Sequence, residues 1–240
     1  THTYRCSRFE LNPYTGGTPH EAAVDIGLLR LAQVLMSGPH IPYDLYLNAA
    51  VRNLGRYYAE WLCHPESGAI FDNPDHSAFV PNKAATGAEA FILLGQVTGD
   101  PVWVEKHALP SLDLVLKHQV LSGRDEGAIH QLSVRGRPDG RFFPFYIARC
   151  VSGLLAGYQL TGRRDYLDAA WRAMDFILRH RRVDGSFPQV VYANGQVNEY
   201  PKWIAATGDI LRVMRAMNAM GGSVDEDPTR TWLWNGLDPS

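Results

Sequence analysis

Residues 161–187 read TGRRDYLDAAWRAMDFILRHRRVDGSF and contain one complete copy of the pattern that decides the fold. Apolar side chains recur in this stretch at helical spacing, and most charged side chains lie off that face. The apolar set is Tyr166, Ala169, Ala170, Ala173, Phe176 and Ile177. This pattern predicts an amphipathic helix with one solvated side, closed by His180 and followed by a loop that contains Gly185.

The same ending occurs twice earlier in the chain. The triplets LCH at 62–64, LKH at 116–118 and LRH at 178–180 each close an amphipathic segment, and a loop with a glycine follows each of them. Every loop leads into a segment that is apolar on nearly all sides, which must therefore be covered on all sides. The predicted inner helices lie near 19–36, 83–97, 143–160 and 201–218, and the predicted outer helices near 44–62, 102–119 and 165–180.

This alternation of inner and outer helices predicts an all-α fold in which repeated helix pairs bury a continuous core between neighbours. We expect one helical-repeat domain over residues 1–220 and a C-terminal tail over 221–240, with Trp232 and Trp234 anchoring the tail on the body. Seven helices are fewer than the about twelve of a closed ring of six pairs. The expectation is therefore an α/α toroid or an open arc of one, completed by further helices of a longer chain or by a second copy in a homodimer.

Composition excludes several functions. The net charge of −2 leaves no basic surface for nucleic acid, and no apolar run is long enough to cross a membrane. Cys6, Cys63 and Cys150 are scattered, without the spacing of a disulfide framework or a zinc site. The histidines that recur at helix ends suit carbonyl capping rather than metal binding. We therefore predict no metal and no cofactor, and the compartment stays open.

The candidate site centres on residues 184–203, DGSFPQVVYANGQVNEYPKW, a loop with a predicted short hairpin at 193–195. The loops that enter the inner helices gather at one end of a ring, where the positive ends of those helices also point. We expect the functional side chains to converge at this mouth. They are His20, His76, Lys83, Arg141, Tyr146, Arg149, Tyr192, Asn198, Glu199, Tyr200, Lys202 and Trp203.

Two groups of polar residues, 72–76 and the pair Glu89 and Arg149, can each be interpreted in two ways. Residues 72–76 offer oxygen and imidazole donors, but their composition is also that of an ordinary turn. Glu89 and Arg149 lie in almost wholly apolar helices, where an unpaired charge is costly. They either pair within the core or face a central cavity, and Asp209, one helix later, is a possible partner.

The alternating pattern resembles the α/α toroid families of carbohydrate-active enzymes: glycoside hydrolases, polysaccharide lyases and sugar epimerases. Glu199-Tyr200-Pro201 also resembles a short element in the C-terminal region of glucuronyl C5-epimerases. The resemblance implies an enzyme that acts on a poly- or oligosaccharide containing uronate. It implies a base (Glu199 or Tyr200), an acid (Tyr146 or His76) and a cationic clamp on the carboxylate (Arg149 or Lys202). The remaining substrate contacts would come from Trp203, Lys83, Arg141, Asn198, Tyr192 and His20.

Other reactions and other functions remain open from the sequence. The same groups would act as a lyase if a leaving group departs, and a glycosidase would pair Glu199 with Asp75 or Glu21. A terpenoid-cyclase-like domain would instead use an apolar cavity lined by tryptophans, although the DxDD acid motif of one cyclase class is absent. A non-catalytic binding or scaffold module would use the concave face of the helical array.

Overall fold

The computed structural model describes residues 17–38 and 42–237 of the chain. Within these ranges the chain is mostly helical, with eight α-helices. They are α1 (Pro19–Met36), α2 (Asp44–Asn53), α3 (Pro81–Thr98), α4 (Leu109–Lys117), α5 (Pro144–Thr161), α6 (Arg164–Arg179), α7 (Ile204–Ala219) and α8 (Asp227–Leu237). A π-helical segment, Leu54–Ala59, continues α2, and another, Trp103–Ala108, leads into α4. No described helix is long and apolar enough to cross a bilayer.

The inner and outer helices alternate as predicted. The inner helices α1, α3, α5 and α7 pack against one another in that order, and the outer helices lie against them. Local sequence explains their ends. Pro19, Pro81 and Pro144 occupy the first turn of three inner helices, where proline costs no hydrogen bond. Gly99 and Gly162 end α3 and α5 in the left-handed conformation that glycine adopts without strain.

The expected burial of the inner helices is correct for the middle of the row and wrong at its start. Most of α3 and α5 is buried, whereas α1 buries four residues along a single stripe. Val24 and Val34 of α1 are exposed. The cause is position, because α1 is the first inner helix and its main contacts among the described elements are with α3 and α2. An apolar sequence cannot show whether a neighbour is present to cover it.

The recurring glycines explain how successive modules fit together. Gly68, Gly127 and Gly185 all have positive φ, at 74°, 87° and 88°. A Cβ atom on any of them would overlap a backbone carbonyl oxygen: that of Lys106, Arg172 or Pro228, respectively. Each loop therefore rests directly on the backbone of the next outer segment. Pro228 belongs to α8, so residues expected to form part of a tail contain a helix that repeats this contact.

Two small antiparallel sheets connect the loops before the inner helices. One has the order β1 (Ala78–Phe79), β2 (Ser133–Val134) and β3 (Arg137–Pro138), and the other β4 (Arg141–Phe142), β5 (Val190–Tyr192) and β6 (Val197–Asn198). The predicted hairpin is β5–β6, with Gly195 at φ 89° in its turn. The other strands were not expected, because two residues are too few to show the alternation that identifies a strand.

Candidate functional site

Three loops form one continuous rim over the N-terminal ends of the inner helices. Strand β1, before α3, pairs with β2, before α5, with Ala78 opposite Val134. Strand β4, also before α5, pairs with β5, before α7, with Arg141 opposite Tyr192. The loops that enter α3, α5 and α7 are therefore hydrogen-bonded in series. We call this band, residues 64–80, 119–143 and 181–203, the rim.

An aromatic platform lies where the rim meets α5 and α7. The Trp203 ring stacks on Phe145 with 5.4 Å between centroids and 25° between planes. The Tyr146 ring is tilted by 57° to that of Phe145, with 4.4 Å between centroids. Trp203 remains partly exposed, and Phe187 and Pro188 form a shallow cleft beside it. An aromatic face that is both supported and accessible suits the apolar face of a sugar ring.

Two ion pairs, Arg182–Glu199 and Lys202–Asp184, lie at the entry to α7. Arg182 donates to Glu199 through both Nε, at 3.0 Å, and Nη2. Lys202 Nζ lies 2.8 Å from Asp184 Oδ2. Burial works to raise the pKa of Asp184, but hydrogen bonds from Lys202 and Ser186 lower it to about 2. These pairs orient Glu199 and Lys202 on the rim.

Tyr200 is 70% exposed. Its backbone N–H donates to the side chain of Asn198 at 3.3 Å. Asn198 also donates to Gln189 at 3.2 Å. The exposed Tyr200 phenol is therefore presented at the edge of the rim by a short hydrogen-bonded turn.

Below the rim, the inner helices carry charged side chains on the concave face of the arc. Arg149 Nε of α5 lies 2.8 Å from Asp209 Oδ2 of α7, so the partner considered from the sequence is confirmed. Glu89 of α3 accepts from Arg30 Nη2 of α1 at 3.0 Å and from Ser152 Oγ of α5 at 2.7 Å. Both interpretations of the charged residues hold in part, because they are paired and they also line the concave side.

The location of Glu89 follows from its partners. Besides Arg30 on α1, it has Arg212 Nη1 of α7 at 3.8 Å. Because α1 and α7 lie at opposite ends of the row of inner helices, a carboxylate near both must lie on the concave side. Arg212 also donates to Ser152 at 2.9 Å. The residues Arg30, Glu89, Arg149, Ser152, Asp209 and Arg212 are called the concave cluster below.

Lys83 fixes the loop that enters α3. Its ammonium group donates to the Asp72 carbonyl at 2.8 Å and to the Asp72 carboxylate at 3.1 Å. Burial is the main influence on Lys83 and lowers its pKa, against the opposing effect of Asp72. The side chain is buried, and both contacts stay within one module, so Lys83 supports the rim from below.

Four of the predicted site residues lie away from the aromatic platform. Arg141 and Tyr192 face each other across the second sheet, and Arg141 pairs with Asp139 at 2.7 Å. His20 is exposed in the first turn of α1. His76 has a positive φ of 54°, and the aromatic rings beside it in the described chain are His64 and Phe71. Arg141 and Tyr192 therefore belong to the loops before α5 and α7, while His20 and His76 lie at the start of α1 and in the loop before α3.

The recurring histidines lie at the rim end of the outer helices. His118 and His180 are the C-cap residues of α4 and α6, and His118 Nδ1 is 2.8 Å from the Leu114 carbonyl oxygen. Burial lowers the pKa of both. His64 follows a different pattern, since its Nδ1 accepts from the Glu66 N–H. Among the described residues, no three His, Cys, Asp or Glu side chains are grouped to hold a metal ion.

Sequence reasoning missed four charged or polar members of the site: Arg30, Ser152, Arg182 and Arg212. For two of them a signal existed. Ser152 lies three residues after Arg149 and Arg212 three after Asp209, so each shares a helix face with a residue already considered. Arg182 and Arg30 could not be found in this way, because their contacts depend on how the loops and the arc fold.

No protein-family model matches the chain, and no curated protein matches it. Solved structures are similar to it in fold. A family 76 glycoside hydrolase from a bovine Bacteroides thetaiotaomicron strain matches with a TM-score of 0.67 at 13% identity, over 90% of this chain and 46% of its own. A sugar epimerase from a ruminal bacterium gives 0.63 at 15% identity, over 90% and 57%. An unsaturated glucuronyl hydrolase specific for heparin gives 0.58 at 14% identity, over 80% and 54%.

At these identities the likeness is one of fold. These structures are α/α toroids of carbohydrate-active enzymes, which confirms the predicted fold class and the predicted resemblance to those families. The chain spans between 46% and 60% of the length of the first structures it matches. The described helices therefore correspond to part of such a ring.

Proposed function

We propose that this protein is a carbohydrate-active enzyme, a hydrolase or an epimerase, that acts on an oligo- or polysaccharide containing uronate. The observation that carries the proposal is the junction of the rim with α5 and α7. There the Trp203–Phe145 stack adjoins Glu199, which pairs with Arg182, and Lys202, which pairs with Asp184. Arg149, which pairs with Asp209, follows Phe145 by one turn of α5. The fold is similar to those of a glycoside hydrolase and a sugar epimerase, which supports sugar chemistry by analogy of fold.

Substrate binding would use stacking and cations together. The accessible face of Trp203 would support a sugar ring. Arg149 and Lys202 would hold the uronate carboxylate. Arg149 Nη1 is buried and has no hydrogen-bond partner among the described residues, so a substrate carboxylate would have to displace the atoms that cover it in order to bind there. An Arg guanidinium carries five N–H groups, so it can serve Asp209 and a substrate carboxylate together.

The chemical step would be proton transfer next to the held carboxylate. Removal of the C5 proton of a uronate needs a base, an acid on the other face and a cation that stabilises the developing charge. Glu199 or Tyr200 would serve as the base from the α7 side, and Tyr146 as the acid from the α5 side. In a hydrolase, two carboxylates would instead flank the glycosidic bond. Glu199 and Asp209 are the pair that this junction offers, in place of Glu199 with Asp75 or Glu21.

The polarity of the concave face supports a sugar over a terpenoid substrate. Carbocation chemistry needs an apolar cavity in which aromatic faces stabilise positive charge. The concave cluster instead contributes three arginines and two carboxylates. A polar substrate with its own hydroxyl and carboxylate groups complements this wall.

The test is incubation of the protein in D₂O with uronate polymers, with α-mannan and cello-oligosaccharides as neutral comparators, followed by proton NMR. An epimerase incorporates deuterium at C5, a hydrolase produces new reducing ends, and a lyase produces the ultraviolet absorbance of an unsaturated uronate. Glu199→Gln and Tyr200→Phe are the comparison variants, because one of these two residues would act as the base. If the protein turns over neutral glycans and not uronate polymers, the proposed uronate substrate is wrong. If it turns over no glycan, the proposal that it is a carbohydrate-active enzyme is wrong.

A further inference from the structure

Arg30 and Arg212 lie at the two ends of the inner row and converge on one carboxylate. Arg30 Nη2 is 3.0 Å from Glu89 Oε1, and Arg212 Nη1 is 3.8 Å from the same oxygen. The Glu89 side chain is 6% exposed, whereas those of Arg30 and Arg212 are 56% and 45% exposed. The carboxylate therefore forms the floor, and the two guanidinium groups rise from it toward solvent.

The charges of this cluster do not cancel. Arg30, Arg149 and Arg212 contribute three positive charges, while Glu89 and Asp209 contribute two negative charges. Arg149 and Asp209 pair with each other, so the excess charge falls on Arg30 and Arg212. Each of these has one hydrogen bond to a described side chain, to Glu89 and Ser152 respectively. Most of their ten N–H donors are therefore left for a ligand or water.

We propose that Arg30 and Arg212 form a subsite for one anionic group of a sugar unit, a carboxylate or a sulfate ester, bound on the concave face. The planar guanidinium fork matches the oxygens of either group. Arg212 lies one helical turn beyond Asp209, about 4.5 Å farther along α7 at 1.5 Å per residue. The subsite is thus separate from the clamp of Arg149 and Lys202, although the sugar part of the ligand rests on the proposed function.

The test measures binding by isothermal titration calorimetry with three probes: glucuronate, inorganic sulfate and glucose. Saturable binding of glucuronate or sulfate, with glucose much weaker, is expected for the wild type. Arg212→Gln and Arg30→Gln should each weaken anion binding about tenfold, the effect of losing a charge-assisted hydrogen bond. Arg230→Gln is the matched control, because Arg230 is 57% exposed and pairs with Asp227 on α8.

Glu89→Gln gives a prediction of opposite sign. It removes a negative charge from the floor, so anion binding should become tighter, while the amide oxygen can still accept from Ser152. If this variant does not fold, the comparison of Arg212→Gln with Arg230→Gln decides alone. Equal binding of glucuronate and glucose, no saturable anion binding, or an Arg212→Gln variant with wild-type affinity would overturn the subsite.

The probes also separate the sources of the anionic group and the two proposals. Binding of glucuronate indicates a uronate, and binding of sulfate without glucuronate indicates a sulfate ester. Arg212-dependent anion binding without turnover of any glycan would support the subsite and remove the proposed function. Turnover of a uronate polymer that is unchanged in Arg212→Gln, with no anion binding that depends on Arg30 or Arg212, would support the proposed function and remove the subsite.

Discussion

Arg212 of α7 approaches Glu89 of α3 to 3.8 Å although α5 lies between the two helices. The approach is possible because the inner helices follow a tight curve and both side chains are on its concave side. Ser152 of α5, between them, bonds to both. The polar group Glu89–Ser152–Arg212 thus connects three inner helices and depends on the curvature of the arc.

The Arg149–Asp209 pair should contribute measurably to stability. Its side chains are 19% and 24% exposed, so removing one partner leaves a poorly solvated charge. Arg149→Gln should lower the free energy of unfolding by about 1–3 kcal/mol, measured by urea denaturation. Arg230→Gln breaks an exposed pair and should cost less than about 1 kcal/mol. The double variant Arg149→Gln/Asp209→Asn should cost less than the sum of its single variants; additivity would show that the two charges do not interact.

The loop glycines can be tested with a matched pair in one loop. Gly127 and Gly123 both have φ 87°, but only at Gly127 would a Cβ meet backbone, the carbonyl of Arg172. Both Ala variants should bear left-handed strain of about 1–2 kcal/mol. Gly127→Ala should lose a further about 1–3 kcal/mol through overpacking. Thermal and urea unfolding measure the difference, and equal losses would contradict direct seating of the loop on α6.

Tyr200→Phe separates a chemical role from a structural one. Because Tyr200 is 70% exposed, we expect the thermal midpoint to stay near the wild-type value. If the phenol moves a proton, turnover of the uronate polymer should disappear while substrate binding persists, as for a group needed mainly in the transition state. Kinetics and calorimetry on the same preparation measure both quantities. Equal turnover in the variant would leave Glu199 as the base.

Asp25 should make the stability of the protein depend on pH. Burial raises its pKa from 3.8 to about 7, with an opposing hydrogen bond from Asn53 and a further raising effect from Glu21. The folded state therefore holds this proton over a range where the unfolded state has lost it. The stability contributed by protonated Asp25 is present below about pH 4 and is lost as pH rises toward 7.

Asp25→Asn tests this directly. The variant cannot ionise, so its free energy of unfolding relative to wild type should increase between pH 4 and pH 7, by up to about 4 kcal/mol for three pKa units. The difference between variant and wild type cancels the contributions of other carboxylates to the pH dependence of stability. Among these is Asp184, whose lowered pKa makes stability change with pH in the opposite direction. A difference that is independent of pH would show that Asp25 is ionised throughout.

Periodicity was sufficient to predict the alternating helices, because each buried or amphipathic face spans several turns. It failed where structure depends on a few residues. The two-residue strand Ala78–Phe79 has no alternation to detect, and α8 begins within the acidic residues 225–227. The exposed face of α1 could not be predicted, since burial depends on neighbours that the helix itself does not encode.

The positions of candidate site residues were predictable when the residues lie close together in sequence. Glu199, Tyr200, Lys202 and Trp203 do lie at the entry to α7, where the helix-pair repeat places them. The side chains that pair with these residues could not be predicted in the same way. Arg182 reaches Glu199 only because the hairpin folds back, and Arg30 reaches Glu89 only because the arc curves. Such contacts depend on three-dimensional curvature that no local pattern carries.

Strand β1 pairs with β2, and β4 pairs with β5, so backbone hydrogen bonds connect the rim loops of successive modules. A change in the length of the middle loop would shift its register against both neighbours at once. The loop that presents Glu199 and Trp203 is therefore not an independent unit that can be exchanged alone. An engineered exchange of a rim loop should therefore replace that loop together with the neighbouring loop whose strand pairs with it.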